Sequence, residues 1–582
     1  MLTIGEDNVT GTTGNDTISA PIVQESGGGT AASLEDIDVV DGGAGTDTMN
    51  VTLTAGDAPA ANVSNVEVIN VRATGGATID LANVTGVEQV WNKGSNDVAL
   101  VIDNASSTDI TFGVANTAAD SVIVFADDAV DGTADELKLV LSSASDADIS
   151  ADNASANGNV IEAVSLTVTG DNVADITGVG NAVETLTITG TGSVDLTVDA
   201  TALATLDASA MTEALDIDIS AASSTALNVE TGAGDDRVVI DGDLLIAAND
   251  EIVVALGAGT NTLALTNIDT QTAMGTLVFD AATLTGVSAV EFTDAALIGA
   301  AATIDFDGIT VDSIVFADVV NADGFSLALD NTATTLDVTF EGTFNVATTD
   351  VADLEFVNAE VVTLNVGDDV IGATILGEAL TDLTVNVTAD AASFGIATAA
   401  TDLVTIEGQG DADLDTLTSI TLNDTSDAGD AVFIVDLVDT TVVSTIALSG
   451  GEATDFTIDV SLAAFDGAVT VEIGDFGVDA DGVTAGGLSY TSDDANGVRE
   501  TFKFVGTNIG DITIETGSFL AGIGATADRL DFSQIAGIDA LDDLSIELVG
   551  ADTVITAADG QFDGTITVTG VDLTTDAVNF IL

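Results

Sequence analysis

Short runs of alternating apolar and polar residues recur along the chain at a nearly constant spacing. Examples are SLTVTG, TLTITG and DLTVDA, each bounded by Gly, Asn, Asp or Ala. Alternation with a period of two is typical of a β-strand that buries one face. The first series of aligned apolar residues is Leu166, Leu186, Leu206 and Leu227. The second series, interleaved with the first, is Ile176, Leu196 and Ile217.

Successive members of both series are 20 or 21 residues apart, and a later array (Leu364, Leu383 and Leu403) has spacings of 19 and 20. Two strands in about twenty residues are what one coil of a β-solenoid requires. We therefore predict an all-β fold, a parallel β-solenoid (β-helix) with coils of about 20 residues and a β-rich C-terminal module. The solenoid is expected at least over 160–240 and 360–410. A series of antiparallel sandwiches is the alternative, although sandwich turns would hold a fixed period less well.

The composition combines a large apolar fraction with an extreme negative charge. The 582 residues include 97 acidic and 7 basic ones, giving a net charge of −90, yet 46% of the residues are apolar. An apolar fraction of that size argues against a disordered acidic chain. The carboxylates must cover a folded core, and cations have to reduce their mutual repulsion. Ca²⁺, which prefers carboxylate and carbonyl oxygen, is the expected cofactor, and halophilic adaptation to high salt is the alternative.

Missing residue types exclude several classes of function. Without Cys and His, the chain has no disulfides, no Cys/His zinc site and no Ser–His or Cys–His catalytic arrangement. Binding to nucleic acid would need many more Lys and Arg side chains for the phosphates. No N-terminal secretory signal is visible, and the longest apolar stretch, 295–304, is too short to span a bilayer. We expect a chain without a transmembrane segment that, if exported, does not use the usual N-terminal route.

Glycine–aspartate turns are the clearest candidate sites. GGAGTDTMN at 42–50 fits the nonapeptide GGxGxDxUx, in which U is apolar. GTTGNDTIS at 11–19 and TGAGDDRVV at 231–239 fit with one replacement each, and LGAGTNTLA at 256–264 has Asn261 in the place of the Asp. Glycines permit a tight turn that directs carbonyl oxygens to one point, and the aspartate adds a charged oxygen. The pattern indicates a cation-binding turn.

Six to eight oxygens around Ca²⁺ require two adjacent turns, whereas these copies are scattered along the sequence. For any single copy, a glycine turn with a solvated Asp is an equally good interpretation. We favour the metal interpretation for 41–50 and not for 256–264. Other acidic clusters are interpreted as solvated faces or loose cation sites. They lie at 127–136, 145–152, 411–415 and 475–482.

Both ends of the chain resemble known secreted proteins. GTTGNDTI followed by DGGAGTDTMNV, with SNVEVINV and TGVEQVWN after them, resembles RTX-type surface-layer and surface-array proteins of Gram-negative bacteria. Near the other end, NIGDITIETGSF, ADRLDFSQI, DDLSIELVGADTVI and GTITVTGVDL resemble the C-terminal module of RTX proteins that are exported by type I secretion. The resemblance covers the first 100 residues and the C-terminal region. It implies an uncleaved C-terminal export signal.

The resemblance also implies a set of calcium-binding residues. Aspartates occupy the ligand position of the motif, and glycines shape the turn or present carbonyl oxygens. The dense tandem nonapeptides of the family are absent here. The predicted metal-binding residues are Asp16, Asp41, Gly43, Gly45, Asp47, Gly234 and Asp236.

We predict three regions along the chain. Residues 1–60 form an RTX-like Gly/Asp turn region, 61–500 a repetitive β region that is solenoid at least in part, and 501–582 the type I secretion module. Two short helices are predicted within them, at TADELKL (133–139) and SFLAGIG (518–524).

The resemblance and the charge together favour a secreted structural protein that self-assembles into a calcium-stabilised surface layer on a Gram-negative cell. Export would occur unfolded, and extracellular Ca²⁺ would then drive folding. The alternatives are an extracellular filament, a biofilm matrix subunit or an adhesin. We expect a homo-oligomer in a lattice or filament, with lipopolysaccharide or another cell-surface glycan as a candidate partner and no nucleic acid.

A polysaccharide-acting enzyme on a β-helix is the less favoured alternative. Basic residues are few, Trp91 and Tyr490 are the only Trp and Tyr, and no catalytic residue can be named. We therefore expect no enzymatic activity. Trp91 and Lys93 form an unusual local patch in VEQVWNKGSND, where a core position for the Trp is favoured over a contact surface.

Overall fold

The computed structural model confirms the all-β prediction, with 52% of residues in strands and 2% in helices. The residues that it describes are 1–126, 128–153, 161–179, 182–246, 252–267, 276–278, 283–293, 302–306, 309–317, 320–321, 327–342, 344–345, 352–368, 370–371, 373–377, 379–388, 393–395, 404–406, 416–425, 431–438, 442–450, 454–463, 465, 467–476, 486–492 and 498–582.

The chain divides into two compact units. The first comprises Met1–Thr266 with Ala282–Val287, and the second comprises Asn267–Ala281 with Ser288–Leu582. In each unit, successive coils of the chain place their strands side by side in parallel, which is the predicted β-solenoid arrangement. We use the word stack for a column of hydrogen-bonded strands within one unit.

The first unit contains three stacks of parallel strands. Stack A consists of Asn8–Thr10, Val39–Asp41, Asn62–Ser64 and Val84–Thr85. Stack B consists of Thr17–Ala20, Thr48–Leu53, Val68–Ala73, Gln89–Lys93, Thr111–Ala115, Glu136–Ser142, Ala163–Thr169, Thr185–Gly190, Thr205–Met211, Asn228–Glu230, Val253–Ala255 and Leu284–Thr285. Stack C consists of Ala77–Asp80, Leu100–Ala105, Ser121–Phe125, Ala147–Asn153, Asn172–Thr177, Val194–Val198, Leu215–Asp218, Arg237–Asp241 and Thr262–Thr266.

Two smaller elements complete the first unit. Ile22–Gln24 and Thr30–Ala32 form an antiparallel hairpin between the first two coils. Asp243–Ile246 is a single turn of α-helix.

The second unit contains two stacks. Stack D consists of Ala289–Phe292, Ser313–Phe316, Thr335–Phe340, Val361–Val366, Asp382–Val387, Ser419–Asp424, Thr445–Ser449, Val469–Ile473, Glu500–Phe504, Arg529–Asp531 and Phe580–Ile581. Stack E begins as two columns that join at Val432–Val438. The first column consists of Thr276–Val278, Ala302–Asp305, Leu327–Asp330, Ala352–Val357, Ala373–Leu376 and Val404–Ile406, and the second of Val320–Asn321, Phe344–Asn345, Val370–Ile371 and Ser393–Phe394. After Val432–Val438 the stack continues with Asp455–Leu462, Gly487–Thr491, Asn508–Ile514, Asp563–Val568, Asp552–Ala557 and Leu544–Val549.

The C-terminal end of stack E departs from the parallel arrangement. Asp563–Val568 is parallel to Asn508–Ile514, but Asp552–Ala557 and Leu544–Val549 add to it as antiparallel strands. Leu541–Asp543 and Ala577–Asn579 are 3-10 turns in the same region. The C-terminal region is thus β-rich, as predicted, whereas its role in secretion and the boundaries of the three regions stay predictions.

Alternate residues of each strand point into the core, and the strand register corrects the predicted period. Leu186 pairs with Leu206, as the spacing predicts. Leu166, however, pairs with Ile188 and not with Leu186. Side chains alternate with a period of two, so a register change of two residues leaves every apolar side chain facing the core. The apolar pattern alone therefore does not distinguish a coil of 20 residues from one of 22.

Coil lengths vary more in the second unit. Leu364 pairs with Val385, and Leu383 pairs with Ile420. Leu403, which the predicted array includes, lies outside the described residues. The strands keep a continuous register while the connections between them change in length.

The two predicted short helices are wrong. Glu136–Ser142 is a strand of stack B, in which Leu137, Leu139 and Leu141 are buried. Their alternation outweighs the helix propensity of TADELKL because the neighbouring strands already provide a sheet surface. Residues 518–524 are bends and irregular backbone, without a helix. In the part of the chain that the structure describes, no helix is long and apolar enough to cross a membrane.

An aromatic column is built into the second unit. Phe292, Phe316 and Phe340 follow one another on adjacent strands of stack D and are fully buried. Their ring centroids are 5.0 Å apart at each step, and the rings are nearly parallel. We refer to these three residues as the aromatic ladder.

Candidate cation site

The turns at 11–16 and 42–47, which are far apart in the sequence, lie on adjacent coils. The strands that follow them pair in parallel, with Thr17 opposite Thr48. Between the turns, the Ala44 N–H donates to the carbonyl oxygen of Thr12 at 3.1 Å, and the Thr46 N–H donates to Asn15 Oδ1 at 3.0 Å. We name these two segments the first turn pair. The copies that are scattered in the sequence are therefore neighbours in space.

A second turn pair consists of 231–236 and 256–261. Ala233 and Ala258 form a parallel bridge, and the Gly234 N–H donates to the carbonyl oxygen of Ala258 at 3.0 Å. The Thr260 N–H donates to Asp235 Oδ1 at 2.8 Å. Both pairs thus bring two copies of the glycine-rich sequence into direct contact, which is the arrangement that a cation between turns would require.

The glycines of these turns are required by backbone geometry. Gly43 and Gly45 have φ angles of +100° and +133°, and Gly234 has a φ of +127°. These values lie in the left-handed region that favours glycine. A Cβ atom at Gly43 would also overlap the carbonyl oxygen of Thr12 on the adjacent coil. The close approach of the two backbones is therefore possible only with glycine.

Asp47 is fully buried between coils, and only one of its carboxylate oxygens is used. Its Oδ1 accepts the backbone N–H of Asp16 at 2.7 Å. Its Oδ2 is buried and accepts no hydrogen bond from the residues that the structure describes. A buried charged oxygen without a partner costs free energy, so this atom is a natural cation ligand.

Asp236 has similar surroundings, but its carboxylate lies between the turn 231–236 and the coil that precedes the second turn pair. Its side chain is 1% exposed, and its Oδ1 accepts the backbone N–H of Leu215 at 3.0 Å. Its Oδ2 is also buried without a hydrogen-bond partner among the described residues. Two of the predicted ligands therefore share one environment, with one oxygen bound to the preceding coil and the other unused.

Asp16 and Asp41 are placed differently. Asp16 Oδ2 accepts hydrogen bonds from the backbone N–H and the hydroxyl of Thr12 at 2.6 and 2.8 Å. The backbone hydrogen bond, and then the hydroxyl, lower the pKa of the Asp16 carboxyl. Asp41 Oδ1 accepts from the Gly43 N–H at 3.1 Å and from Asn65 Nδ2 at 2.8 Å. Both carboxylates thus shape their own turns.

The described residues contain no cluster of three or more acidic side chains that could hold a metal ion. Asp47 and Asp236 each offer one buried carboxylate oxygen that accepts no hydrogen bond from the described residues, so most ligands in such a site would have to be backbone carbonyl oxygens. Of the other acidic clusters, 411–415 and 477–482 lie outside the described residues.

Asn261 takes the position of the Asp in the fourth copy, and its amide changes the chemistry. Its Oδ1 accepts the Asp236 N–H at 3.0 Å, just as an Asp would. Its Nδ2 donates to the carbonyl oxygens of Gly257 and Gly286 at 3.2 and 3.0 Å. The amide therefore donates hydrogen bonds to carbonyl oxygens that a metal ion would otherwise coordinate. This observation agrees with our choice not to predict a metal site at 256–264.

Sequence reasoning missed the structural role that these residues share. In each case an acidic or amide residue directly precedes a strand and accepts a backbone N–H from the preceding coil. Glu67 does so with the Asp47 N–H at 2.6 Å, and Glu162 with the Asp135 N–H at 2.7 Å. The signal was present in the sequence as Asp, Glu or Asn immediately before several of the strands, such as those that begin at Thr48, Val68, Ala163 and Arg237.

A row of carboxylates also follows the outward side of stack C. Asp148 is paired with Asp175, and Asp195 with Asp216. Burial raises the pKa of the Asp148 carboxyl, and neighbouring carboxylates, including Asp175, add to the rise. Burial and then Asp216 raise the pKa of Asp195, against a smaller opposing effect of Arg237. We call Asp148, Asp175, Asp195 and Asp216 the acidic ladder.

Comparison with models of known protein families finds no match for this chain. Comparison with curated proteins finds no match either. Function must therefore be argued from the fold and the turn geometry.

Proposed function

We propose that the protein is a secreted structural protein that assembles into a calcium-stabilised surface layer on a Gram-negative cell. The observation that carries the proposal is a buried carboxylate oxygen in each of two glycine turns, at Asp47 and at Asp236, that accepts no hydrogen bond from the described residues. Both coincide with the sequence motif that resembles RTX proteins. The role in secretion rests on the sequence resemblance of the C-terminal region.

The residues present fit a calcium ion. Asp47 would hold it between the two turns of the first turn pair, and Asp236 would hold one between the turn 231–236 and the preceding coil, in each case through Oδ2 with backbone carbonyl oxygens as further ligands. The bound ion supplies the positive charge that a buried carboxylate otherwise lacks. Gly43 and Gly45 keep the two turns of the first pair close, and Gly234 keeps the turn 231–236 close to Glu213 and Ala214 of the preceding coil, so that both backbones could contribute.

The net charge supports the same proposal. Ion pairs in the described residues are few: Lys138 with Asp109, Arg237 with Asp216, and Lys503 with Glu472. A chain with 97 acidic side chains and 7 basic ones has to be neutralised from solution before copies can associate. Divalent cations would lower the repulsion both within one molecule and between neighbouring molecules. Folding and assembly would therefore be linked to Ca²⁺.

A filament, matrix subunit or adhesin is the second candidate. Leu544–Val549 is the outermost of the antiparallel strands at the C-terminal end of stack E. In this strand, the side chain of Leu548 is 46% exposed and that of Val549 is 56% exposed. An open antiparallel edge with apolar side chains can pair with another chain. End-to-end pairing would produce fibres, whereas lateral contacts of coils would produce a sheet.

Negative-stain electron microscopy with millimolar Ca²⁺ and with chelator tests the proposal. Ordered sheets that form only with Ca²⁺ are the expected result. Filaments would favour the second candidate, and dispersed particles under both conditions would contradict both.

A matched pair of variants tests whether Asp236 is responsible for the Ca²⁺-dependent assembly seen by electron microscopy. Asp236→Asn removes the unpartnered charged oxygen, whereas Asp235→Asn removes the same charge from an exposed neighbour in the same turn. Asp236→Asn should raise the Ca²⁺ concentration needed for assembly, and Asp235→Asn should not. Equal effects of the two substitutions would show that only total charge matters.

A further inference from the structure

The outward side of stack B carries an aromatic and basic surface in an otherwise acidic molecule. The strands Val68–Ala73 and Gln89–Lys93 turn alternate residues into the core and the others outward. The outward set includes the only Trp of the chain, which is half-buried, and two of its seven basic residues, which are exposed. We define the Trp91 face as the outward side chains Asn50, Asn70, Arg72, Gln89, Trp91 and Lys93.

The indole of Trp91 lies on the sheet and not in the core. Trp91 is half-buried and pairs with Gly113 on the next strand. A Cβ atom at Gly113 would overlap Cδ2, Cε3 and Cζ3 of the indole, so the ring covers this glycine. The indole N–H donates to Gln89 Oε1 at 3.0 Å, which fixes the ring orientation. The preferred core position for Trp91 is therefore wrong, because inward positions on this strand belong to Val90 and Asn92.

Packing over a glycine is by itself a structural role, since an aromatic side chain can cover the gap that glycine leaves in a sheet. That role does not explain the two cations beside the ring. Arg72 and Lys93 are exposed and directly follow the paired residues Val71 and Asn92 on adjacent strands. Adjacent strands are about 4.8 Å apart, so the two side chains start close together.

Neither cation is neutralised by the protein. Arg72 Nε donates to the carbonyl oxygen of Gly94 at 2.9 Å. Within the described residues, neither Arg72 nor Lys93 forms an ion pair with a carboxylate, whereas Lys138 on the same side of stack B pairs with Asp109 at 3.2 Å. Two like charges side by side repel each other. With 97 acidic residues available, leaving both unpaired marks a place for an external anion.

Amide side chains line the other side of the ring. Asn70 pairs with Trp91 in the register, and its Nδ2 donates to Asn50 Oδ1 at 2.9 Å. Asn50 is exposed, so its amide N–H groups are available to a ligand. Amides both donate and accept, which suits hydroxyl groups. The Trp91 face thus combines a flat apolar ring, amides and a local pair of cations.

We propose that the Trp91 face binds an acidic polysaccharide. The C–H side of a sugar ring would lie on the indole, the amides would contact hydroxyls, and Arg72 with Lys93 would bind a carboxylate or phosphate group. A nucleic acid, with one charge per nucleotide, would face repulsion from the carboxylates around this small basic surface. A sparsely charged glycan avoids that repulsion. The proposal deepens the cell-surface role proposed above and rests on it only for the source of the glycan.

Intrinsic fluorescence gives a direct test because Trp91 is the only Trp. The full chain is titrated with short hyaluronan oligosaccharides, which carry a carboxylate on every second sugar, and with neutral chitin oligosaccharides of the same length. Hyaluronan oligosaccharides should cause a saturable change in Trp91 emission, and the neutral oligosaccharides should bind about tenfold more weakly.

Variants assign the binding to residues. Lys93→Ala and Arg72→Ala should each weaken hyaluronan binding by about tenfold. Arg237→Ala is the matched control, since Arg237 lies on stack C and is paired with Asp216 at 3.2 Å, and it should bind as the unmodified chain does. Trp91→Phe keeps an aromatic ring over Gly113, and calorimetry should show weakened binding without unfolding.

Three results would overturn the proposal. Equal binding of acidic and neutral oligosaccharides would show that the ligand need not be anionic. If hyaluronan caused neither a fluorescence change nor a heat of binding, the Trp91 face would not be a binding site. If Arg237→Ala weakened binding as much as Lys93→Ala or Arg72→Ala, the overall charge of the chain and not this face would determine binding. Binding is measured on dispersed protein, so its failure is separate from failure of Ca²⁺-dependent assembly, which electron microscopy reports.

Discussion

The first unit carries buried carboxylates at its corners, and the second unit adds stacked aromatic rings in its core. In the first unit, Asp47 and Asp236 use a carboxylate oxygen to accept a backbone N–H from the preceding coil. In the second unit, the aromatic ladder stacks rings at 5.0 Å from coil to coil. In the second unit, the two carboxylate oxygens of Asp528 accept the backbone N–H groups of Glu500 and Leu520 at 2.7 Å each. A corner carboxylate can thus be satisfied on both oxygens or, as at Asp47 and Asp236, have one oxygen that accepts no hydrogen bond from the described residues.

The largest expected effect is in the core of the second unit. Phe316→Ala removes the middle ring of the aromatic ladder and should lower the free energy of unfolding by about 4 kcal/mol, because it leaves a cavity and breaks both ring contacts. Phe316→Leu keeps most of the apolar volume and should cost about 1 kcal/mol. Urea denaturation measures both. Equal losses for the two variants would show that ring stacking, and not volume, stabilises this unit.

A smaller effect is expected at the turns of the first unit. Gly43→Ala should cost about 2 kcal/mol, because alanine is strained at a φ of +100° and its Cβ would overlap the Thr12 carbonyl. Gly14→Ala is the control in the same turn pair: its Cβ would be 4.0 Å from Thr12 Oγ1, the nearest neighbouring atom. That substitution should change the free energy of unfolding by less than about 0.5 kcal/mol. Comparable losses would contradict the close stacking of the two turns.

Removing the buried charge of Asp47 should change stability in opposite directions without and with calcium. Asp47→Asn keeps an oxygen for the Asp16 N–H and removes the buried charge, so in chelator it should stabilise the protein by about 1 kcal/mol. With millimolar Ca²⁺ the same substitution should reduce the gain in melting temperature that the ion gives. Calorimetry with and without Ca²⁺ measures both effects. An unchanged calcium response would show that Asp47 binds no cation.

The smallest effect concerns pH and the acidic ladder. Burial, with help from neighbouring carboxylates, raises the pKa of Asp148 above 3.8, so the folded state binds this proton more tightly than the unfolded state does. The charged form therefore disfavours folding at neutral pH, and this cost is relieved as the pH falls through the raised pKa. Asp148→Asn should stabilise by a few tenths of a kcal/mol at neutral pH, and the gain should vanish in acid.

Asp16 serves as a control because its pKa shift, and therefore the effect of its charge on stability, has the opposite sign. Hydrogen bonds from Thr12 lower the pKa of its carboxyl, so its charged form favours the folded state above its ordinary pKa. That contribution is lost as the pH falls through the lowered pKa. Asp16→Asn should therefore destabilise at neutral pH and have no effect in strong acid. Urea denaturation at neutral pH measures both variants. If Asp148→Asn and Asp16→Asn changed the free energy of unfolding in the same direction, the opposite pKa shifts would be contradicted.

The sequence predicted the fold class because alternation and repeat length are local properties that the stacked coils preserve. It did not predict the register, since Leu166 opposite Ile188 and Leu166 opposite Leu186 both keep leucine in the core. It also did not predict the turn pairs. Asp16 and Asp47 are 31 residues apart, because a hairpin is inserted between their coils, and that insertion hides the adjacency of the two motifs.

The Trp91 face shows a further limit of sequence reasoning. The patch around Trp91 and Lys93 was visible, but its side of the sheet depended on which residues of the strand point inward. Asn92 takes an inward position, and its Nδ2 donates to Ser121 Oγ at 2.9 Å. A buried Asn next to an outward Trp reverses the expectation from hydrophobicity alone. The hydrogen bond to Ser121, together with those to the carbonyl oxygens of Ala119 and Asp120 at 3.2 Å, accounts for it.

The hairpin between the first two coils has a consequence for engineering. Ile22–Gln24 and Thr30–Ala32 form a separate antiparallel excursion, while Thr17 still pairs with Thr48 across it. The tip of that hairpin, near Gly28, has open space around it. Foreign peptides grafted at this tip would be displayed without changing the pairing of the coils on either side, so a repetitive assembly of this chain could serve as an antigen carrier.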